Sequence, residues 1–330
     1  MILMISDINN KNISIIILNY NGKHHLIECM ESIKKYQNLF VQIILVDNNS
    51  IDGSQEYLMN YYPNIQLIFL NHNTGFSYGN NIGIHAAKGD YIVLLNNDTV
   101  VEPDWLENLY KCMTSDPSVG SCASKMVSYY DRNLLDTAGD GFSISGAAFK
   151  CGHMENEDQY CKDEYVFGAC AGAAMYKREM LETIGLLDED FFLLYEDADL
   201  SFRAQLAGYK CKYAADAVVY HKVRSSIGML SDTHVFYGQR NVEYAYFKNM
   251  PAGLIPRTLW RHLLYNILAF GYFTLKGKGL IFLKAKWDFL KNFRKVLAKR
   301  KQVQSLKVVD DKYIWSILEK KWLSTRLKGK

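Results

Sequence analysis

The stretch YIVLLNNDTVVEP, residues 91–103, joins the pattern of a buried strand to an acidic end. Five apolar or aromatic residues, Tyr91–Leu95, are followed at once by Asn96, Asn97 and Asp98. A short continuous apolar run is typical of a strand that is buried on both faces of a sheet. Such a strand ends here by presenting a carboxylate, and we therefore predict that Asp98 faces a ligand site.

Outward from this stretch, the first 130 residues alternate between apolar runs and helical patterns. The apolar runs predict four strands, Ile13–Asn19, Val41–Val46, Ile65–Leu70 and Tyr91–Leu95. The helical patterns that follow them are Gly22–Tyr36, Gly53–Tyr61, Ser77–Lys88 and Pro103–Thr114. Continuous apolar strands that alternate with helices favour a mostly parallel sheet with helices on both faces. The sequence thus predicts an α/β fold with a Rossmann-like sheet.

A polar cluster follows each predicted strand. The clusters are Asn19–Gly22, Asp47–Ser50, Asn71–Gly75 and Asn96–Asp98. The carboxyl ends of parallel strands lie along one edge of the sheet, where ligands bind in such folds. Asn, Asp and Ser also form turns and cap helices, and we assign that role to Ser50, Asp52 and Thr99. Asp47 and Asp98 each end a buried strand directly, so we assign both to a binding site.

The loop after the first strand limits the kind of ligand. It reads NYNGKHH, residues 19–25, and lacks the GxGxxG pattern of dinucleotide sites; the chain has no GxxxxGK[ST] pattern either. A diphosphate cradled by glycines is therefore excluded. Asp98 is a hard oxygen ligand that suits Mg2+ or Mn2+, and such a cation would neutralise a diphosphate.

The composition is that of a folded protein whose charge is unevenly distributed. The 330 residues are 49% hydrophobic, which is enough for a full core. The seven cysteines favour reduced thiols, since Cys151, His153, Cys161 and Cys170 match no zinc spacing. The N-terminus MILMISDINNKN is too short and polar for a signal peptide, and no run of about 18 apolar residues occurs. We therefore expect a cytoplasmic protein.

Six segments together resemble family 2 glycosyltransferases, the inverting enzymes with the GT-A fold, and most of all their rhamnosyltransferase-like members. The segments are SIIILNYNG, VDNNSIDGS, NHNTGFSYGNNIGIHAAKGDYIVLLNNDT, GLLDEDFFLLYEDADLSFRAQLAGY, VVYHKVRSS and QRNVEYAYFKNMP, within residues 14–251. The resemblance implies a nucleotide-sugar donor (a dTDP-, UDP- or GDP-sugar), a divalent metal (Mg2+ or Mn2+), and a saccharide or lipid-linked saccharide acceptor. Rhamnose is the candidate sugar, and cell-surface polysaccharide synthesis the candidate process.

The resemblance also implies roles for individual residues on the donor side. The family's DXD position falls on Asn96, Asn97 and Asp98, which leaves Asp98 as the metal ligand, with His221 completing the metal site. Asp47 would contact the nucleotide base. The remaining donor-binding residues would be Tyr20, Gly75, Phe76, Asn81, Asn96, Asn97 and Arg240, the last beside Asn241.

The acidic stretch that begins at Asp188 would supply the catalytic base. The resemblance places that base on Asp197 rather than on Glu196, with Glu196 and Asp199 beside the acceptor or just behind the site. Acids at a helix N-terminus also satisfy the helix dipole, and Asp199 with Arg203 is predicted to form an i,i+4 ion pair.

Two rival functions remain open at this stage. A non-catalytic module that binds sugar nucleotides or glycans would explain Asn96, which stands where the family often has an acid. A sugar nucleotidyltransferase shares the α/β plan, but NYNGKHH lacks the glycine-rich basic loop that such an enzyme uses.

The C-terminal part differs from the body, and we divide the chain into a catalytic domain, residues 1–250, and a basic helical tail, residues 251–330. The tail holds 19 of the 38 Lys and Arg residues and 4 of the 35 Asp and Glu residues. Aromatic and basic residues are typical of a helix on an anionic membrane; helices packed on the body and an oligomer contact are the alternatives. No motif indicates nucleic acid. Ala138–Tyr165 is predicted to be a loop, either closing over the site or a surface insertion.

Overall fold

The computed structural model describes residues 12–38, 41–222 and 230–323, so part of the VVYHKVRSS segment lies outside the described residues. The strands in these ranges are β1 Ile13–Asn19, β2 Val41–Asp47, β3 Gln66–Phe69, β4 Tyr91–Asn96, β5 Thr99–Val101, β6 Val119–Ser128, β7 Leu135–Thr137, β8 Asp140–Phe142, β9 Ala148–Lys150, β10 Glu164–Val166, β11 Ala173–Lys177 and β12 Lys210–His221.

The helices lie mainly between and after these strands. They are α1 Lys23–Ile33, α2 Ser54–Tyr61, α3 Gly75–Ala86, α4 Trp105–Thr114, α5 Arg178–Ile184, α6 Glu196–Leu206, α7 Asp232–Asn249, α8 Ile255–Leu275, α9 Gly279–Ser305 and α10 Asp311–Ile317. Short 3-10 segments are Lys34–Asn38, Glu157–Gln159 and Glu189–Phe191. The four strands and four helices predicted in the first 114 residues are confirmed as β1 to β4 and α1 to α4, with boundaries displaced by at most three residues. Thr99, assigned above to a turn or cap, instead begins β5, a strand that the sequence does not predict.

Ten strands form one curled sheet in the order β3-β2-β1-β4-β11-β6-β12-β10, with β5 paired to β12 and β7 paired to β6. β1 is parallel to β2 and β4, and β2 is parallel to β3. β11 runs antiparallel between β4 and β6, while β6 and β12 are parallel. The predicted α/β fold is therefore confirmed, but its sheet is mixed, with four parallel and five antiparallel pairings; the parallel strands β1 to β4 end at one edge.

The sheet separates two hydrophobic layers, because side chains alternate between the faces of a strand. Ile15 and Ile17 of β1 join the layer that contains Trp105 of α4. Ile16 joins the opposite layer, which contains Ile84 of α3 and Met180 of α5. Helices thus cover both faces of the sheet, as the apolar strands predict.

The C-terminal region is helical, as expected, and it packs closely on the body. One hydrophobic cluster combines Phe142 and Phe202 of the body with Phe289 of α9 and Ile314 of α10. The backbone of Glu319 also exchanges hydrogen bonds with Phe142 and Ile144. The tail therefore completes a core that the body begins. Among the described residues, no helix combines the length and the apolar character needed to cross a bilayer.

The prediction for Ala138–Tyr165 is wrong in part. This segment contains β8, β9 and the beginning of β10, and Asp140–Phe142 is buried beneath the helices. Strands of three residues are held by partners that are distant in the sequence, so they leave no periodic pattern that could reveal them. Residues 138–147 are buried in the fold, whereas residues 148–165 are half-buried or exposed.

Candidate active site at the carboxyl ends of the strands

The end of β2 is fixed by hydrogen bonds to the Asp47 carboxylate, which is fully buried. Its Oδ2 accepts a hydrogen bond from Nδ2 of Asn19 at 2.9 Å, and its Oδ1 accepts from the Ser50 amide at 2.8 Å and from Nε2 of Gln55 at 2.7 Å. Tyr20, the next residue after β1, is 49% exposed at the same edge. Asp47 thus fixes the end of β1, which Tyr20 follows, and the loop after β2.

The turn after β4 carries the Asn96–Asn97–Asp98 trio. Nδ2 of Asn97 donates a hydrogen bond to Oδ1 of Asn19 at 2.7 Å, which ties this turn to the end of β1. The Asn96 amide donates to the carbonyl of Gly172 at 2.8 Å. Asp98 is only 7% exposed. The polar ends of β1, β2 and β4 therefore meet, as their positions in the sequence predict.

Asp98 lies beside His221 because β5 pairs with the end of β12, where Thr99 is opposite His221. Nε2 of His221 is 3.3 Å from Oδ1 of Asp98, and its Nδ1 is 2.8 Å from Oδ2 of Asp136. Burial favours the neutral imidazole, but the two carboxylates more than offset it and raise the pKa of His221 to about 9. The imidazole is therefore held between two acids in a fixed orientation.

Asp136 was not predicted as a site residue. It lies on β7, is 1% exposed, and also pairs with Lys150, whose Nζ is 2.7 Å from both carboxylate oxygens. Burial alone would raise the pKa of Asp136, but hydrogen bonds with His153 and His221 and the charge of Lys150 hold it well below its usual range. Asp136 is thus an anion that orients His221.

The loop before α6 has an unusual backbone. Phe192, Leu194 and Tyr195 have φ angles of 57°, 66° and 72°, which residues other than glycine rarely adopt. Nδ2 of Asn241 donates hydrogen bonds to the carbonyls of Phe191, Leu193 and Leu194 at 2.8, 2.8 and 2.7 Å. Strained backbone of this kind persists only where its surroundings hold it, and here the amide of Asn241 does so.

Arg240 supports the same loop from α7. Its guanidinium donates to the carbonyl of Asp190 and lies 4.8 Å from the ring centre of Tyr237. The loop also reaches α3, because the backbone amide of Phe76 donates to the carbonyl of Phe192 at 2.6 Å. Gly75 has a φ of +81°, and a Cβ there would lie 2.6 Å from that carbonyl oxygen. Only glycine fits at this contact.

Asn81 is also engaged in this connection. Its Nδ2 donates to the carbonyl of Leu187 at 2.9 Å and to Oε1 of Glu189 at 3.1 Å, while its Oδ1 accepts from the Leu187 amide at 3.2 Å. The amide of Asn81 therefore fixes α3 to the chain that leads into the strained loop.

Replacing Asn241 by leucine, which keeps the branched shape, is expected to lower the free energy of unfolding by about 2–4 kcal/mol. The change removes these three hydrogen bonds and a fourth, which Oδ1 of Asn241 accepts from Nε of Arg240, and it leaves buried carbonyls without a donor. Urea denaturation measures it. Asn108→Leu is the matched control, because that side chain donates one hydrogen bond, to the Asp216 carbonyl, at an exposed site. Equal losses in the two variants would contradict the role of Asn241.

Asp197 follows the strained loop in the first turn of α6, and it lies among other acids. One ligand atom each of Asp140, Cys170 and Asp197 lies within 4.8 Å of the other two. Oδ1 of Asp197 accepts a hydrogen bond from the Ala198 amide at 2.7 Å, and its Oδ2 accepts from the Ala171 amide at 3.4 Å. These donors favour the ionised form of Asp197.

The neighbouring acids are in less favourable surroundings. Oδ1 of Asp140 and Oε2 of Glu196 are buried, and neither has a hydrogen-bond partner among the described residues. Burial and the charge of Asp197 raise the pKa of both Asp140 and Glu196 well above the usual range. Burial also raises the pKa of Asp197, which the two amides and Lys150 oppose. Of the three carboxyls, Asp197 accommodates a negative charge best.

Asp199 serves the helix rather than an open pocket. It is fully buried, and its Oδ2 accepts from Nε of Arg203 at 2.9 Å, which confirms the predicted i,i+4 pair. Its Oδ1 accepts from Nδ2 of Asn249 at 2.8 Å and lies 2.7 Å from Nζ of Lys248. Asp199 therefore anchors α6 to α7.

One short backbone segment connects the turn that carries Asp98 with the helix that carries Asp197. Gly172 accepts a hydrogen bond from the Asn96 amide, and the adjacent Ala171 donates to Asp197. A Cβ on Gly172 would lie 3.1 Å from Nδ2 of Asn96. Small residues here permit the close approach that the sequence suggested, and the turn bearing Asp98 is thereby tied to the helix bearing Asp197.

The part of the chain from β1 to β11, with Asp98 after β4, matches a known family, whereas Asp197 and His221 lie beyond the matched residues. The model for glycosyl transferase family 2 matches residues 14–185, which is more than half of the chain. The chain belongs to glycosyl transferase family 2. Its fold is of the GT-A type.

Relatives and solved structures resemble this family member to different extents. The O-antigen chain rhamnosyltransferase WbaN of Salmonella anatum is 26% identical over 233 residues, 68% of this chain and 71% of WbaN. TarS 1–349 of S. aureus in complex with UDP-GlcNAc has a TM-score of 0.57 at 16% identity, covering 89% of this chain and 87% of that one.

A second solved structure shares the fold. The mannosyltransferase PcManGT of Pyrobaculum calidifontis, in complex with GDP-Man and Mn2+, has a TM-score of 0.53 at 15% identity, covering 97% of this chain and 87% of that one. The chain spans 22%, 34% and 61% of the lengths of three other curated relatives.

Proposed function

We propose that this family 2 member is an inverting glycosyltransferase that moves a sugar from a nucleotide-sugar donor to a saccharide or lipid-linked saccharide acceptor in cell-surface polysaccharide synthesis. The observation that carries the proposal is the pairing of Asp98 with His221, on a turn that Gly172 and Ala171 connect to Asp197. The name of WbaN supports rhamnose as the sugar, and the ligands of TarS and PcManGT support UDP- and GDP-sugars as alternatives to dTDP-rhamnose.

The donor would lie along the edge formed by β1, β2 and β4. Tyr20 is exposed and would contact the donor directly. Asp47 is buried, so it would act on the nucleotide base of the donor from beneath the loop that its carboxylate fixes. The other residues that we propose on the donor side are Gly75, Phe76, Asn81, Asn96, Asn97 and Arg240. Of these, Gly75, Asn81 and Arg240 hold the loop between donor and acceptor by the contacts described above.

Asp98 and His221 fit a divalent cation, Mg2+ or Mn2+. The Nδ1 side of His221 is fixed by Asp136, which leaves Nε2 directed at the Asp98 carboxylate. A carboxylate that orients a histidine in this way is typical of metal sites. When bound, the cation supplies positive charge beside the departing diphosphate.

Asp197 would act on the acceptor. Its carboxylate takes the proton of the acceptor hydroxyl as that oxygen forms a bond to the anomeric carbon. The bond from the anomeric carbon to the diphosphate breaks on the opposite side, so the configuration inverts. Glu196, with its buried carboxyl, would lie next to the acceptor, and Asp199 would hold α6 from behind.

Binding of Mn2+ is expected to strengthen about tenfold for each pH unit between about pH 6 and pH 8, with release of nearly one proton. The pKa of His221 is raised to about 9, so the imidazole is protonated at neutral pH and must lose that proton to bind a metal. Titration calorimetry in buffers of different ionisation enthalpy measures the proton release. The control is His85→Gln, which changes an exposed histidine on α3 and should leave the pH dependence of Mn2+ binding unchanged. Affinity that does not change with pH would contradict the role of His221.

We further propose that the protein works in the cytoplasm, at the inner face of the cell membrane, where a lipid-linked acceptor is accessible. In this proposal residues 1–250 carry the transfer chemistry and residues 251–330 position the enzyme. The hydrophobic cluster shared by Phe142, Phe202, Phe289 and Ile314 indicates that the two parts are joined in one body.

The experiment that tests the function is nucleotide release from a panel of dTDP-, UDP- and GDP-sugars, with Mg2+, Mn2+ or EDTA. Slow hydrolysis of the donor makes the assay possible before the acceptor is known. We expect one donor to turn over, and EDTA to abolish that turnover. A folded protein that neither binds nor hydrolyses any sugar nucleotide would contradict the proposal and favour the non-catalytic glycan-binding module. Turnover that does not depend on metal would show that the reaction needs no cation.

A further inference from the structure

Two C-terminal helices, α8 and α9, expose large apolar side chains to solvent. We define the outer face by six of them, three on each helix: Trp260, Leu263, Ile267, Leu283, Trp287 and Leu290. The exposed fraction is 67% for Ile267 and 60% for Trp287. Large apolar side chains grouped on the exposed side of a helix often mark a binding surface.

The spacing shows that the outer face is a regular surface of each helix. On α8 the residues follow one another after three and four positions, and on α9 after four and three, which keeps them on one side. The opposite side of α8 buries His262 and Tyr265, and that of α9 buries Phe282, Phe289 and Val296. Each helix therefore has one apolar stripe in the core and a second apolar stripe in solvent.

Basic side chains on α9 and at the C-terminal end of α8 divide into two groups. Those turned inward have acidic partners: Lys286 pairs with Glu243, and Lys299 pairs with Asp188 and Asp190. Residues 252–309 contain one acid, Asp288, and it faces Arg240 of the body at 3.5 Å.

The basic side chains that turn outward lie beside the apolar residues of the outer face. Lys276, Lys284, Lys291 and Arg294 are exposed, and no ion pair joins any of them to another residue in the described ranges. The outer face thus combines exposed apolar side chains with positive charge that no neighbouring acid balances.

We propose that the outer face of α8 and α9 docks on a membrane surface rich in anionic phospholipids. Apolar side chains would enter the headgroup boundary, and the four basic side chains would lie among lipid phosphates. The inference rests on the proposed function, since it brings the site to a lipid-linked acceptor.

The charge and the apolar character of the outer face argue against a second copy of the chain and against nucleic acid as its partner. A second copy of the chain placed on this face would oppose basic side chains to basic side chains without an acid between them. Nucleic acid would leave the aliphatic Leu263, Ile267 and Leu283 against a hydrophilic backbone. Anionic lipid is the partner that satisfies both the charge and the apolar area.

The test uses the full chain, because removal of the tail would expose the cluster around Phe289 and Ile314. Sedimentation measures binding to vesicles of phosphatidylcholine mixed with phosphatidylglycerol, and to phosphatidylcholine alone. The variant is Lys284→Glu, Lys291→Glu and Arg294→Glu combined. We expect wild type to bind only the mixed vesicles, and the variant to lose at least about a hundredfold in affinity, since each basic residue near the surface contributes about fivefold.

The matched control carries the same change of charge on the body. Lys88→Glu, Lys111→Glu and Lys162→Glu replace three exposed lysines away from the outer face, and this combination is expected to reduce binding far less. A second variant, Trp287→Ser with Leu290→Ser, tests the apolar part at constant charge and should also weaken binding.

Three results would overturn the proposal. They are absence of wild-type binding, equal losses in the α9 variant and the control, and a lipid-free dimer that the α9 variant dissociates. Hydrolysis of a soluble donor needs no vesicle and should be unchanged in both variants. Docking and sugar transfer can therefore fail independently.

Discussion

The Asp197→Asn variant is expected to transfer sugar about 10²–10⁴-fold more slowly than the wild type while binding the donor with nearly unchanged affinity. Asparagine keeps the size of the side chain and one oxygen, which can accept from the Ala198 amide as Oδ1 of Asp197 does. It cannot take the acceptor proton. Steady-state nucleotide release and donor titration separate the two quantities, because general-base loss lowers kcat rather than donor affinity.

Two variants make this result specific. Asp216→Asn changes an exposed carboxyl on β12 and should leave turnover unchanged. Glu196→Gln neutralises a buried carboxyl whose pKa is already raised well above its usual range, so it should cost much less than Asp197→Asn. A larger loss in Glu196→Gln would move the base to Glu196.

The pH profile gives a further check on the same residue. Burial raises the pKa of Asp197, and a base works only when it is deprotonated. The acid limb of kcat should therefore lie above the ordinary aspartate pKa of about 3.9, with turnover rising as the pH increases through it. A profile that stays flat down to pH ~4 would contradict this environment.

A local pattern in the sequence singles out Asp98, whereas the resemblance to family 2 glycosyltransferases selects Asp197 among its acidic neighbours. Asp98 follows a continuous apolar strand, and Asp197 lies in the first turn of a helix that begins after an acidic stretch. Alternating strands and helices also predict β1 to β4; β1 pairs with β2 and β2 with β3, in each case across one α-helix, whereas β4 pairs with the more distant β1. Sequence patterns are sufficient to predict strands and helices where these elements alternate regularly along the chain.

Asp136 and Asp140 escape such reasoning for a physical reason. β7 and β8 have three residues each, and their positions depend on pairing with β6 and β9. A strand of that length has no period to detect. The orientation of His221 and the surroundings of Asp197 therefore become visible only when the distant partners are in place.

The tail shows the same limit in another form. Its helices and its positive charge can be predicted from composition. Which lysines neutralise the body and which face solvent cannot, because Lys299 and Lys291 differ only in the side of α9 on which they lie. Asn241 likewise resembles a ligand-side residue in the sequence, whereas the structure shows its amide holding the backbone before Asp197.

The Asp98→Ala variant is expected to lose about 10²–10³-fold in nucleotide release, together with any stimulation by Mg2+ or Mn2+. Alanine removes the proposed oxygen ligand but leaves the hydrogen bond between His221 and Asp136. The histidine would then stand alone at the site, and one neutral ligand binds such cations weakly. Asp104→Ala, an exposed position six residues further along, is the control for loss of one acid.

Because Asp98 is buried, a loss of activity must be separated from a loss of folding. Thermal denaturation of Asp98→Ala and Asp98→Asn serves this purpose, and both should remain folded at the assay temperature. The Asp98 charge also helps to keep His221 protonated, so its removal should lower the pKa of His221 and reduce proton release when Mn2+ is added. Turnover in Asp98→Ala that equals wild type and persists in EDTA would show that neither the carboxylate nor a cation assists the departing diphosphate. Loss of metal response with donor binding retained would instead place the effect on that leaving group, which is the role that the contact between Asp98 and His221 supports.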